Sequence, residues 1–230
     1  MKIINYLGCT KEEVESKKFN IWIGISLGNK YFTKENIEKY ILWALENTKE
    51  DIIVVIGDRL QAINLEVLDK YNKTRAWKVA LRKGDEKEKE IKEIVEKLPE
   101  EKKKLIKIVK FKDVTNTKYY EFIKEILEEA YKTNSQFKEY ITNIVKNNPK
   151  ASTHKLSDVE IDSLAQYIIL ELPIYLNGCY LNKYYTCTIY PGRGLIDELE
   201  HGLHTGNLFP EIGKKLNLKN QVGILEGYIE

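Results

Sequence analysis

Cysteine is scarce in this chain of 230 residues, occurring only as Cys9, Cys179 and Cys187. Three is too few, and odd, for a disulfide framework, and no two stand in C-x-x-C spacing for zinc. Free thiols in a reducing, cytoplasmic setting are expected. Histidine is as rare, at His154, His201 and His204. No apolar run could span a bilayer; the longest, such as Ile52–Ile56, has the length of a strand. The opening Met1-Lys2-Ile3-Ile4 lacks the apolar core and cleavage site of a signal peptide. Gly24 and Gly28 do not complete G-x-G-x-x-G, and G-x-x-x-x-G-K-[ST] is absent, which removes the usual motifs for a dinucleotide or a P-loop nucleotide. With no internal repeat, low-complexity linker or boundary, residues 1–230 read as a single domain.

The composition, 43% hydrophobic and 31% charged, is that of a soluble globular chain with a real core. Net charge is only +2, yet residues 73–110 hold 14 Lys/Arg against 8 Asp/Glu. A basic stretch in a near-neutral protein is a footprint for a polyanion. The alternative is a solvated helix whose lysines pair with Glu86, Glu88, Glu90, Glu93 and Glu96.

Ile21-Trp22-Ile23 begins a buried strand that runs into Gly24-Ile25-Ser26-Leu27-Gly28-Asn29. Thr33 caps a helix with its apolar stripe at Ile37, Ile41, Ala44 and Leu45, and Asp51 introduces the β-branched run Ile52–Ile56. Strand, helix and strand make a βαβ unit. A charged helix is expected over 73–98, interrupted at Gly84-Asp85 and ended by Pro99. A half-exposed strand follows at 105–111. Two amphipathic helices carry Tyr119, Phe122 and Ile126, then Phe137, Ile141 and Ile144. Ser157-Asp158-Val159-Glu160 is a capping box for a helix through Tyr167 to Glu171. Strands are expected at 183–190 and 222–225, with a weak helix at 195–199.

Ser26 carries the sharpest chemical signal. A serine at the carboxyl end of a strand faces the crevice where open α/β sheets bind ligands. The string also matches G-x-S-x-G, the nucleophile elbow, which makes Ser26 a candidate covalent catalyst. Tyr167 and Glu171 stand i, i+4 on one helix face. Glu171 lies within an apolar segment, so its carboxylate needs a cationic or hydrogen-bonding partner. Beside Ser26, the pair could bind a substrate ammonium group. Tyr190 ends a strand and would share the crevice if its strand joins the same parallel sheet. A hydrolase would need His201 or His204 as its base, but no His-Gly oxyanion loop lies upstream. His201-Gly202-Leu203-His204 lacks further ligands for a metal, and a surface loop is expected there.

Together these motifs resemble the cyclodipeptide synthases, which join two aminoacyl groups delivered on tRNA. Three blocks carry the resemblance, in order. They are Gly24-Ile25-Ser26-Leu27-Gly28-Asn29 continuing to Tyr31-Phe32, then Tyr167-x-x-x-Glu171-x-Pro173, then Tyr190-Pro191, which starts 23 residues after Tyr167. The helix ending in Leu42-Trp43-Ala44 looks like the family too, and the likeness spans residues 20 to 195. It implies an α/β fold, a Rossmann-like parallel sheet between helices, similar to the catalytic domain of class I aminoacyl-tRNA synthetases.

The resemblance further implies an aminoacyltransferase of secondary metabolism that makes a 2,5-diketopiperazine without ATP, metal or other cofactor. Its partners would be two aminoacyl-tRNAs, no membrane would be involved, and a monomer is expected. Ser26 would take the first aminoacyl group as an ester. The amine of the second aminoacyl-tRNA would attack to give a dipeptidyl-enzyme, and a further attack would close the ring. Tyr167 and Glu171 would hold the first ammonium, Glu171 and Tyr190 would move protons, and Asn29 would position the Ser26 loop or the substrate. Trp22, Gly24, Ile53 and Val55 match the first side-chain pocket, with Trp22 in place of a smaller aliphatic residue, and Tyr119 or Tyr120 would face the cavity. Pro191 belongs to one subgroup pattern and Asn29 to the other. Arg193 falls near the second pocket. It either pairs with a carboxylate side chain, making glutamate or aspartate a substrate, or it faces solvent or a tRNA phosphate. Lys73, Arg75, Lys78, Arg82, Lys83, Lys87, Lys89 and Lys92 lie where the family has its tRNA-binding helix. The competing readings are a serine esterase or acyltransferase built on the elbow, and a non-catalytic tRNA-binding module.

Overall fold

The computed structural model describes residues 1–229, apart from the side chains of Cys179 and Tyr180. In chain order the elements are β1 Lys2–Leu7, α1 Lys11–Glu15, β2 Ile21–Ile25, α2 Lys34–Asn47, β3 Ile52–Ile56, α3 Asp58–Val67, α4 Lys73–Val95 and α5 Glu100–Lys103. Next are β4 Ile106–Lys110, α6 Phe111–Thr115, α7 Lys118–Thr133, α8 Ser135–Asn147, a 3-10 turn at Ala151–Thr153 and α9 Asp158–Asn177. Last come β5 Cys179–Tyr180, β6 Tyr184–Tyr185, β7 Cys187–Tyr190, α10 Leu195–Thr205, α11 Pro210–Leu216 and β8 Gly223–Tyr228.

The main sheet has the order β1-β8-β7-β2-β3-β4. Its strands run parallel except β1, which pairs antiparallel with β8. β5 and β6 form a separate two-stranded ribbon. Strand alternation sorts the side chains by face. Ile21, Ile23, Ile25, Ile52, Val54 and Ile56 pack with α2 and with Ile91 and Ile94 of α4. Trp22, Ile53 and Val55 point to the other face, against Ile174 and Tyr175 of α9. Helices α7, α8, α10 and α11 form a cluster with the other side of α9. These β-branched runs are buried on both faces, as parallel strands under helices must be.

Several local expectations hold in detail. Thr33 accepts a hydrogen bond from the Asn36 amide at 3.2 Å and caps α2. The Ser157 and Glu160 side chains close a capping box at the start of α9. β4 is the half-exposed edge strand its lysines suggested.

Other expectations do not hold. α4 runs unbroken through Gly84-Asp85. A Cβ at Gly84 would lie 2.6 Å from the Asp58 Cβ, so this glycine lets α4 lie close on α3 rather than breaking the helix. The strand expected over 183–190 is split into β6 and β7. The weak helix at 195–199 extends to Thr205 and carries both histidines of the expected loop. The elements β1, α1, α3, α5, α6, β5 and α11 had no counterpart in the sequence reading. Cys9 and Cys187 are free thiols, whereas the side chain of Cys179 lies outside the described residues.

Candidate active site

β2 and β7 lie side by side, parallel, with Ile23 opposite Ile189. Both therefore end at the same edge of the sheet, Ser26 just past one strand and Tyr190 closing the other. α9 crosses this edge and contributes Tyr167. The Ser26 hydroxyl faces the phenols of both Tyr167 and Tyr190. Burial pushes both phenols up; hydrogen bonding to Ser26 opposes that shift at Tyr167, and hydrogen bonding to Asn29 first and then to Ser26 opposes it at Tyr190.

The loop after β2 is not a nucleophile elbow. Residues 26–33 separate the strand from α2, where an elbow would turn straight into a helix. Contacts of its own hold this loop. The Asn29 amide nitrogen of the backbone donates to the Ser26 carbonyl at 3.1 Å. The Asn29 side-chain oxygen accepts from the Tyr31 backbone at 3.0 Å, and its side-chain nitrogen donates to the Tyr190 hydroxyl at 3.1 Å. From α4, Lys87 donates to the Phe32 carbonyl at 3.1 Å.

One turn along α9 from Tyr167 is Glu171, and one further turn is Tyr175, whose hydroxyl donates to the Glu171 carboxylate at 3.5 Å. Among the described residues Glu171 forms no ion pair. Burial first, and then the charge of Asp197, push its carboxyl up to about 8. Asp197, raised to about 6 by burial, accepts from the Gly194 backbone at 2.7 Å and so caps α10. Sequence reasoning missed both Tyr175 and Asp197. Tyr175 extends the i, i+4 row of Tyr167 and Glu171 and could have been found, whereas Asp197 carried no signal beyond a cap.

The face of the sheet beneath Tyr167 and Tyr175 presents Trp22, Ile53 and Val55. Trp22 is 3% exposed and meets the Tyr175 ring edge-on at 5.1 Å between centroids. It also overlies Gly24, whose Cβ position is 3.2 Å from the indole. Tyr120 is buried in the same cluster and donates to the Leu170 carbonyl at 2.8 Å. Tyr119 does not join it: 38% exposed, it packs on Phe122 at the surface. Pro191 is half-buried, and Arg193 is exposed, close enough to Asp197 to draw its pKa down.

The histidines lie elsewhere. His201 and His204 line a hollow of about 280 Å³ with Gly8, Glu200 and Gln221. Burial drives His204 down to about 4. His154 contacts Thr153 and the Lys150 carbonyl. Among the described residues no imidazole contacts Ser26, so the esterase reading lacks its base. A larger hollow of about 430 Å³, at the start of α7, is lined by Lys118 and Phe122 and by none of the residues at this sheet edge.

A family model described as cyclodipeptide synthase matches residues 7–192. The chain belongs to the cyclodipeptide synthase family. It is 24% identical over 186 residues to the cyclo(L-leucyl-L-leucyl) synthase of Staphylococcus haemolyticus, covering 76% of each chain. Three solved structures share the fold. A cyclodipeptide synthase from Bacillus thermoamylovorans superposes with a TM-score of 0.77 at 18% identity, over 95% of this chain and 93% of that one. A Mycobacterium tuberculosis protein, described as relating cyclodipeptide synthetases to type I tRNA synthetases, gives 0.70 at 17% identity, over 86% and 87%. The synthase from Candidatus Glomeribacter gigasporarum, solved bound to Phe-tRNAPhe, gives 0.62 at 15% identity, over 92% and 88%. The parallel sheet between helices is thus the fold of this synthase family, related to that of class I synthetases.

The charge of α4 divides at its middle. At the middle Arg82 reaches forward to pair with Glu86, and in the second half Lys87 pairs with Glu90 and Lys92 with Glu88, while Lys34 of α2 takes Glu93. Lys89 alone in that half is unpaired among the described residues. In the first half Lys73, Arg75, Lys78 and Lys83 form no ion pair among the described residues. Arg75 lies over the Tyr71 ring at 4.1 Å, and Arg59 at the start of α3 lies over the exposed Trp77 at 5.5 Å. The self-neutralised helix surface describes one half of α4, and an uncompensated basic surface with aromatics describes the other.

Proposed function

We propose that this synthase joins two aminoacyl groups, each delivered as an ester on tRNA, into a cyclic dipeptide through a covalent ester on Ser26. The observation that supports it best is the convergence of Ser26, Tyr167, Tyr190 and Glu171 at one sheet edge with no imidazole among them. Amide hydrolysis would need a strong base on the serine. Exchange of one ester for another is near thermoneutral and does not.

The Ser26 oxygen attacks the ester carbonyl, the tRNA hydroxyl leaves with a proton, and the aminoacyl group rests on Ser26. Tyr167 and Glu171 hold its ammonium. A dipeptidyl-enzyme then requires the enzyme-bound amine, not that of the second substrate, to attack the second ester carbonyl. The opposite order would leave a dipeptidyl-tRNA. Attack by the new free amine on the Ser26 ester closes the ring and returns the serine. The two later attacks each need a neutral amine. Burial raises Glu171 to about 8, into the range of an α-amino group, which suits it to take the proton of a bound ammonium. Tyr190 is the second candidate for proton transfer. The ester bonds supply the driving force, and ATP is not required.

Trp22, Ile53, Val55 and Tyr120 would surround the first side chain. Arg193 would select a carboxylate on the other, making one substrate acidic. The test is mass spectrometry of culture medium from bacteria expressing the wild type or Ser26→Ala. New diketopiperazine masses with the wild type alone support the reaction and identify both amino acids. Equal products from both strains, or none with the wild type folded, would refute it. Arg193→Ala should lower the yield of an acidic product, and an unchanged product set would refute the acidic selection.

A further inference from the structure

Gly28, two residues beyond Ser26, is a meeting point. Lys150, from the turn that precedes α9, donates its ammonium to the Gly28 carbonyl. The Gly28 Cβ position is 2.7 Å from that ammonium and 3.0 Å from the side-chain oxygen of Gln61 on α3. One helical turn before Gln61 is Asp58, against which Gly84 of α4 packs. Lys83 is the neighbour of Gly84, and Lys30 follows Gly28 by two residues. Three lysines from three separate elements thus surround the lip of the Ser26 loop, with the Lys150 ammonium in contact with it and Lys83 and Lys30 near enough to act on its charge.

Among the described residues, none of the three makes an ion pair with a carboxylate. Lys150 is pushed down from the ordinary lysine value by burial first; Asp69 pulls it up, and Lys83 and then Lys30 push it down by smaller amounts. Lys83 and Lys30 thus act on Lys150 as like charges, with Asp69 as the opposing one; gathering like charges costs free energy, and a bound anion lowers that cost. Lysine is a compact point charge suited to phosphate, and a phosphodiester is such an anion. The convergence also lies at the end of the unpaired half of α4, so a nucleic acid lying along that half would reach it last, next to the serine.

We propose that Lys30, Lys83 and Lys150 form a phosphate site that holds the single-stranded 3′ end of the aminoacyl-tRNA beside Ser26. This deepens the functional reading above and rests on it for the identity of the RNA. The unpaired half of α4 takes the body of the RNA, and this trio fixes the last phosphates, so that the ester carbonyl arrives at the serine rather than at bulk water.

The test is equilibrium binding by fluorescence anisotropy, with two internally labelled probes. One is an RNA acceptor-stem minihelix with its single-stranded 3′ end, and the other is the same minihelix trimmed blunt. The wild type should prefer the full minihelix. Lys30→Met/Lys150→Met should weaken that complex by roughly tenfold and flatten its salt dependence by about 0.7 in log-log slope for each phosphate no longer neutralised, leaving the blunt probe unaffected. Lys30→Met alone, at an exposed loop position, should show part of the same loss and guards against misfolding of the double variant. Lys214→Met/Lys215→Met on α11 is the control. Equal losses on both probes, no loss on either, or no wild-type preference for the 3′ end would overturn the site. Diketopiperazine formation is read separately, so its absence counts against the synthase reading while the binding comparison still decides the phosphate site.

Discussion

The side chain of Asn29 donates to the hydroxyl of Tyr190 at 3.1 Å and joins the loop after β2 to the last residue of β7. Because the same side chain also accepts from the Tyr31 backbone at 3.0 Å, it fixes the Ser26 loop and the Tyr190 phenol relative to each other. Asn29 would thus act as a positioning residue. Asn29→Ala should lower kcat by about 10²-fold, the scale of an ångström of misplacement, with little change in the KM for aminoacyl-tRNA. Asn29→Asp keeps the acceptor for Tyr31 and should recover only part. Steady-state kinetics on both variants would check this, and a loss confined to KM would count against it.

Glu171 ties stability to pH. Its carboxyl lies near 8 in the folded chain against 4.5 unfolded, so between these values the folded state holds a proton that the unfolded state has released. Stability is therefore fullest below the unfolded value. It falls as pH rises towards 8, by about 1.4 kcal/mol per unit for each such proton. Glu171→Gln should be more stable than the wild type at pH 8, with a flatter profile from pH 5 to 8, and should lose at least about 10²-fold in product formation. Asp197 contributes a slope of the same sign up to about 6, so the Gln variant isolates Glu171 in the upper part of the range. Urea denaturation at several pH values reads it, and parallel profiles for the two proteins would contradict it.

Trp22 tests the first pocket. Its indole nitrogen is buried without a hydrogen-bond partner among the described residues, so removing the N–H should relieve a penalty of about 1–3 kcal/mol that offsets the poorer packing of a smaller ring. Trp22→Phe should therefore stay within about 1 kcal/mol of the wild type in stability. Trp22→Ala should lose about 3–5 kcal/mol. Both should shift the product set towards larger side chains. Chemical denaturation and mass spectrometry of products would show it, and an unchanged product set in a folded Trp22→Phe would rule out this pocket.

The two halves of α4 should behave differently towards RNA. Arg75→Ala/Lys78→Ala removes unpaired charge and should weaken tRNA binding and flatten its salt slope by about 0.9 for each phosphate no longer neutralised. Arg82→Ala/Lys92→Ala removes charges already paired with Glu86 and Glu88 and should have a smaller effect on both. Filter binding across a salt series would separate them, and equal effects would refute the division.

What the sequence made legible was what local pattern controls. The run Ile52–Ile56, the Thr33 cap and the Ser157 capping box each specify their element without help from distant residues, and the order of Ser26, Tyr167, Glu171 and Tyr190 carried the site. The misses have tertiary causes. Gly84 looked like a break because glycine weakens a helix, yet it lies where α3 and α4 come too close for a side chain. The serine string looked like an elbow because the pattern records glycines and not the eight-residue loop, 26–33, that separates β2 from α2. His201 and His204 were expected in a loop because the glycine between them hides the helical period. Asp197 and Gln61 reach the site or its lip through contacts that no spacing encodes.

The central claim is the ester on Ser26. The direct measurement is to mix the enzyme with one aminoacyl-tRNA, quench in acid, digest, and weigh the peptide that contains Ser26. A mass increase equal to one aminoacyl residue, carried by Ser26 and absent in Ser26→Ala, is the predicted result. Continued diketopiperazine formation with Ser26 never modified, or undiminished product from Ser26→Ala, would contradict the account.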